Sequence, residues 1–188
     1  LSNSKREANY KYPVLGIGNP IYNKATKKEK TKGLDKRQAL RGGLTRGLSF
    51  DTIETGLNNL PGSMEEIKEI KELFYKKNKS SDKHLFTGLH ANKDTILKLK
   101  ESGELNQYRV VHFSVHGLFF SDSPELNSLA LTSRAIAAKY YNAELKEYES
   151  KFGEIKSDSF LKNGEILDLG ITAELIVMSA CETSLGTQ

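Results

Sequence analysis

The chain has 188 residues, 37% of them hydrophobic, enough for one compact domain with a sizeable core and too short for two comfortable ones. No apolar run approaches the roughly 20 residues that span a bilayer, and the stretch from Leu1 to Tyr12 is polar and charged rather than signal-like, so a soluble, unexported, cytoplasmic protein is expected. The single cysteine, Cys181, excludes an internal disulfide, fits a reducing compartment and leaves one free thiol that is either chemistry or chance burial.

The formal charge of +4 is unevenly spread. Between Lys24 and Arg46 nine Lys or Arg stand against Glu29 and Asp35, a local +7 that leaves −3 for everything else. The body is therefore mildly acidic, and the basic stretch reads as a solvated, mobile segment. Direct nucleic-acid contact is not expected.

In chain order, Pro13 to Gly18 is a short apolar run closed by Gly18, Asn19 and Pro20, a buried strand delivered into a sharp turn. Residues 21–59 show no sustained period and carry five glycines as breakers, which predicts a basic flexible insertion. Ser63 is placed as a helix N-cap with Glu66 three residues on, and Met64, Ile67, Ile70, Leu73 and Phe74 fall on one helical face. Lys83 to Thr87 predicts a short strand and Asn92 to Glu101 a second helix.

Tyr108 to Val115 is apolar on both faces, as in a central parallel strand covered by helices on each side. Ser128 to Thr132 predicts another short strand. Across 134–157, Ala137, Tyr141, Leu145, Tyr148 and Phe152 form one helical stripe, read as a helical insertion packed on the domain's edge. Glu174 to Ser179 predicts a second strand apolar on both faces. The alternation gives the fold class: α/β, a mostly parallel sheet flanked by helices in a three-layer sandwich.

Ligands of such sheets bind at the carboxyl ends of the strands. His116, followed by Gly117, stands at one such end, and Cys181, followed by a polar, turn-prone run, stands at another. Adjacent strands would bring thiol and imidazole together without sequence proximity, as a Cys-His dyad requires. The thiolate is the nucleophile and a thiol of ordinary pKa near about 8.5 is mostly protonated at neutral pH; a histidine in reach can move the proton. The backbone N–H groups of Gly117 and Cys181 could hold the oxyanion. A buried small hydrophobe is the competing reading of Cys181.

His112 lies inside its strand and reads as a core or supporting histidine, while His84 and His90 lack company. His112 and His116 are four apart, but four strand residues span about 13 Å, so they do not chelate one ion, and neither metal nor cofactor is expected. Gly16-Ile17-Gly18 has no third glycine in register and meets Pro20, so it does not complete a dinucleotide fingerprint.

Taken together, three blocks resemble the CHAT domain, a branch of the caspase and separase clan of cysteine peptidases. They are Tyr108 to Gly117 (YRVVHFSVHG), Pro124 to Thr132 (PELNSLALT) and Leu175 to Gly186 (LIVMSACETSLG). Gly18-Asn19-Pro20, Leu60-Pro61-Gly62 before a Glu-bearing helix, and Phe86-Thr87-Gly88 are weaker matches. The resemblance implies a caspase-like fold and a metal-independent cysteine endopeptidase, with His116 as catalytic histidine, Cys181 as nucleophile and Gly117 at the oxyanion hole. Ser179 would line the pocket for the residue preceding the scissile bond, and Asn19 would border it.

The resemblance further implies a protein substrate, TPR or sensor domains as activators, and a bacterial antiviral defence or regulated-death setting. A catalytically silent scaffold is the alternative. The family pattern continues past the nucleophile while this chain stops at Gln188, seven residues beyond it, so the chain is read as a large-subunit portion completed by a C-terminal portion or small subunit. If the pocket accepts basic residues, Lys32-Gly33, Arg41-Gly42 and Arg46-Gly47 are candidate self-processing sites.

Overall fold

A computed structural model describes residues 9–24, 56–75, 81–120, 122–179 and 182–184. The basic stretch beyond Lys24 and its self-processing candidates lie outside these residues, as does Cys181. Four parallel strands form the main sheet, in the order β2 (Leu85–Phe86), β1 (Tyr12–Gly18), β3 (Tyr108–Ser114), β7 (Leu175–Ser179). A second sheet runs β6 (Phe160–Lys162), β5 (Ser128–Ala130), β4 (His116–Phe119), β8 (Glu182–Ser184), antiparallel except where β4 meets β8. Only Val115 separates β3 from β4, so one run of chain serves both sheets.

Side chains alternate across the main sheet as a period of two requires. Leu15, Ile17, Val111 and Phe113 point to the face covered by α2 (Lys93–Glu101), where Ile96 and Leu99 join them in the largest core cluster. Val14 and Val110 point to the other face, under Ile67, Ile70 and Tyr75 of α1 (Pro61–Tyr75). Helices on both faces of a parallel sheet confirm the expected α/β class.

The approach of α1 to β1 is close because Gly16 and Gly18 have no side chain. A Cβ at Gly16 would lie 2.7 Å from Leu85 Cδ2, and one at Gly18 would lie 2.7 Å from Ile67 Cγ1 and 2.9 Å from Ser63 Oγ. The Gly-Ile-Gly pattern is thus a packing device for a helix. Ser63 is not the helix cap predicted for it: Pro61 opens α1, where a missing N–H costs nothing, and Ser63 Oγ instead donates to Ser114 O (2.5 Å) and accepts from Asn19 N–H (2.6 Å).

Other expectations change at their edges. The strand predicted over Lys83 to Thr87 shrinks to Leu85–Phe86 behind a 3-10 turn, Ser81–His84. The single stripe over 134–157 breaks at Tyr141 (φ −137°, ψ 41°) into α3 (Arg134–Tyr140) and α4 (Asn142–Phe152). The break lets Ala137 of α3 and Leu145 and Tyr148 of α4 share one cluster with Ile155, and Arg134 ties the pair through Glu149 (2.7 Å).

Lys93 and Asp94, at the start of α2, hold the segment that follows α4. Lys93 Nζ meets Asp158 (3.0 Å) and Glu165 (2.6 Å), the latter in α5 (Asn163–Asp168); Asp94 accepts from the N–H groups of Lys156 and Ser157. The strand over Glu174 to Ser179 departs from its prediction, since Leu175, Ile176 and Met178 are 53%, 38% and 48% exposed. Among the described residues β7 is the last strand of its sheet. No helix among the described residues is long and apolar enough to cross a membrane.

Gly18→Ala places a methyl group against α1 and should destabilise the fold by about 1–3 kcal/mol, the usual cost of overpacking. Urea unfolding would read this as a lower midpoint at unchanged slope; an unchanged midpoint would refute the packing role.

Candidate active site around His116

His116 sits where the two sheets meet. It does not end a strand as the sequence suggests: the chain bends before it, at Val115, and Gly117 after it lies inside β4, paired with Leu129 of β5 and Glu182 of β8. The imidazole is 8% exposed. Its Nε2 lies 2.8 Å from the Asn58 carbonyl oxygen, which only accepts, so Nε2 carries the hydrogen in this contact. Nδ1 is buried and has no hydrogen-bond partner among the described residues. Burial pulls the His116 pKa down, with the Asn58 carbonyl opposing, which favours a neutral ring with a basic Nδ1.

Tyr22 seats this histidine from behind. Its hydroxyl accepts the His116 backbone N–H (3.1 Å) and donates to Ala130 O (2.6 Å), bridging the paired positions His116 and Ala130, and its ring lies 4.9 Å from the imidazole. Burial drives the phenol pKa far up, so it stays protonated. Asn59 Oδ1 accepts from the N–H groups of Tyr22 (3.2 Å) and Asn23 (3.1 Å), and its amide returns a bond to Asn23 O. Residues 22–23 and 58–59, at the two ends of the segment 21–59, are therefore clamped together beside His116.

A second polar cluster lies under α1. Glu66, half-buried, accepts the Ser114 hydroxyl and stands 3.0 Å from His112 Nε2, an electrostatic approach off the direction of a hydrogen bond. Asn19 takes the left-handed conformation (φ 46°); its N–H binds Ser63 and its carbonyl accepts from Gly88 N–H (3.0 Å). Ser179 is exposed at the end of β7 and pairs with Ser114, so Ser63 links Asn19 to the strand beside Ser179. His84 and His90 prove well accompanied: His84 Nδ1 is 2.9 Å from Tyr108 Oη and stacks on Tyr75, and His90 meets Tyr148 and Phe152 edge-on.

Sequence patterns missed Tyr22, Asn58, Asn59 and the reach of Glu66 to His112. Only Glu66 carried a signal, as the acidic residue of the helix after Leu60-Pro61-Gly62. Among the described residues no three His, Cys, Asp or Glu side chains converge as a metal site.

His84, His90 and His116 all have lowered pKa values, burial being the first cause of each. Each binds its proton more readily in the unfolded chain, so their stabilisation is full above the ordinary value of 6.5 and is lost as pH falls through the lowered folded values. Urea midpoints should drop between about pH 7.5 and about pH 5.5, and His116→Gln should narrow that drop; equal midpoints at the two pH values would contradict this. Tyr22→Phe, which strips the bridge from His116 and Ala130, should cost about 1–3 kcal/mol in the same assay.

Comparison with curated proteins finds no match, nor does comparison with solved structures. A family model does match: by the CHAT domain model, which covers residues 1–188, the chain belongs to the CHAT domain family, a family of caspase-like peptidases.

Proposed function

We propose that the chain is a cysteine endopeptidase in which Cys181 is the nucleophile and His116 the acid-base partner. One observation carries the reading: Ser179 pairs with Ser114 and Glu182 pairs with Gly117. The described residues on either side of Cys181 thus pair with residues on either side of His116. The buried Nδ1 of His116, without a partner among the described residues, supports the same assignment, because the Asn58 carbonyl holds the hydrogen at Nε2 and leaves Nδ1 to take one from the thiol.

In this reading the Cys181 thiolate attacks the scissile carbonyl carbon, and the oxyanion is held by the backbone N–H groups of Gly117 and Cys181. The C–N bond then breaks as His116 passes its proton to the leaving amine. Water adds to the thioester with His116 as base, the C–S bond breaks, and the carboxylate leaves. Ser179 and Asn19 border the pocket for the residue before the cut, and neither brings a charge. The exposed apolar side chains of β7 support a complementary portion that extends the sheet. Activation by a TPR or sensor partner, in a defence or regulated-death system, is part of the same proposal.

Cys181→Ala should abolish cleavage of a cognate protein, with unfolding behaviour unchanged. His116→Ala should lower cleavage by about 10²-fold or more and slow alkylation of Cys181 by a thiol-directed peptide inhibitor at neutral pH. Cleavage retained in Cys181→Ala would sink the assignment, and failure of the inhibitor to label Cys181 in the activated assembly would favour a silent scaffold.

A further inference from the structure

A groove of about 660 Å³ opens along the β2 edge of the main sheet, at a distinct place from the His116 corner. Its floor is Leu85 and Phe86, the two residues of β2. One wall is the face of α1 carrying Met64, Ile67, Lys68 and Lys71, spaced three, one and three apart as a helical face demands. The opposite wall holds His90 and Phe152, whose ring is 49% exposed. Lys83 also lines it, 5.6 Å from the Tyr12 ring centroid.

Two properties define what fits. The first is charge: three lysines line the groove and no Asp or Glu does, since Glu65, Glu69 and Glu72 of α1 fall outside its lining. Lys68 and Lys83 make no ion pair among the described residues. This positive spot sits on a body whose charge outside residues 24–46 is −3, so it contrasts with its surroundings and would concentrate acidic ligands. The second is backbone: β2 pairs only with β1 among the described residues and is the terminal strand of its sheet, which leaves its outer side open to an added extended chain. A single lysine is an ordinary guard on a sheet edge; a groove with an apolar floor and lysines on more than one side exceeds what guarding needs.

We propose that this groove docks an extended acidic segment of a partner protein, an apolar side chain resting on Leu85 and Phe86 and flanking Asp or Glu side chains meeting Lys68 and Lys83. The docking does not depend on the roles of His116 and Cys181. Its position connects it to their surroundings all the same: Thr87 lines the groove and precedes Gly88, whose N–H binds Asn19 O, and Met64 follows Ser63, whose Oγ binds Asn19 N–H. A segment seated here meets Thr87 and Met64, each next in sequence to a residue that supports the Asn19 turn.

The test is selection from a phage-displayed library of random peptides of about twelve residues on the chain, followed by fluorescence anisotropy on the synthesised winners. Enriched peptides should carry Asp or Glu beside Leu, Met or Phe. Their affinity should fall about tenfold or more on Lys68→Glu, Lys83→Glu, less on Lys68→Gln, Lys83→Gln, and several-fold as salt rises from about 50 to about 300 mM. Phe152→Ala, at an exposed position, should weaken binding without the change in salt dependence. Circular dichroism confirms that the variants fold. No enrichment, winners without net negative charge, or equal affinity for the charge-reversed variant would each overturn the proposal.

Discussion

The contact on which the rest of the molecule depends is the one between α1 and β1, made possible by two absent side chains. With hydrogen atoms at Gly16 and Gly18 in place of Cβ, the helix settles directly on the sheet. At that separation a serine is long enough to reach the backbone at the strand ends, and a glutamate long enough to reach His112 and Ser114. A wider spacing would leave the Ser114 hydroxyl buried without its Glu66 partner, at the cost of an unsatisfied polar group. Close packing and polar satisfaction at the strand ends are therefore one constraint, and it fixes the floor from which the chain rises at Val115 into the second sheet.

His116 inherits its setting from that rise. Because β3 and β4 are nearly continuous, the histidine is anchored by both sheets; Tyr22 bridges its main-chain N–H to Ala130, and the Asn58 carbonyl and the Tyr22 ring hold the imidazole itself. Burial keeps the imidazole neutral while a main-chain carbonyl decides which nitrogen bears hydrogen. The corner thus supplies orientation and tautomer together, with no carboxylate among its described partners.

The parts legible in the sequence are those whose signal is periodic or compositional. β1, β3 and the helices α1 and α2 showed themselves through apolar runs and 3.6-residue faces, and the structure adds that Asn92 caps α2 by accepting from Thr95 N–H. β6 and α5, three and six residues long, are too short to display a period, and the break at Tyr141 depends on tertiary packing that leaves the stripe itself intact. At the site, a histidine following an apolar strand was visible, as was Gly18-Asn19-Pro20. The Asn58 carbonyl was not, since every residue has one and nothing in a side-chain pattern marks which main-chain oxygen will be used. The Gly16-Ile17-Gly18 spacing was visible too, but its purpose becomes clear only when a helix is found lying on it.

The clamp of Tyr22 and Asn23 to Asn58 and Asn59 has a consequence for the stretch it encloses. By joining the chain on both sides of residues 25–55, it separates the seat of His116 from whatever length of sequence runs between. Every hydrogen bond of that clamp lies outside the stretch it encloses, so a change of length there would leave the residues that seat His116 with their own partners.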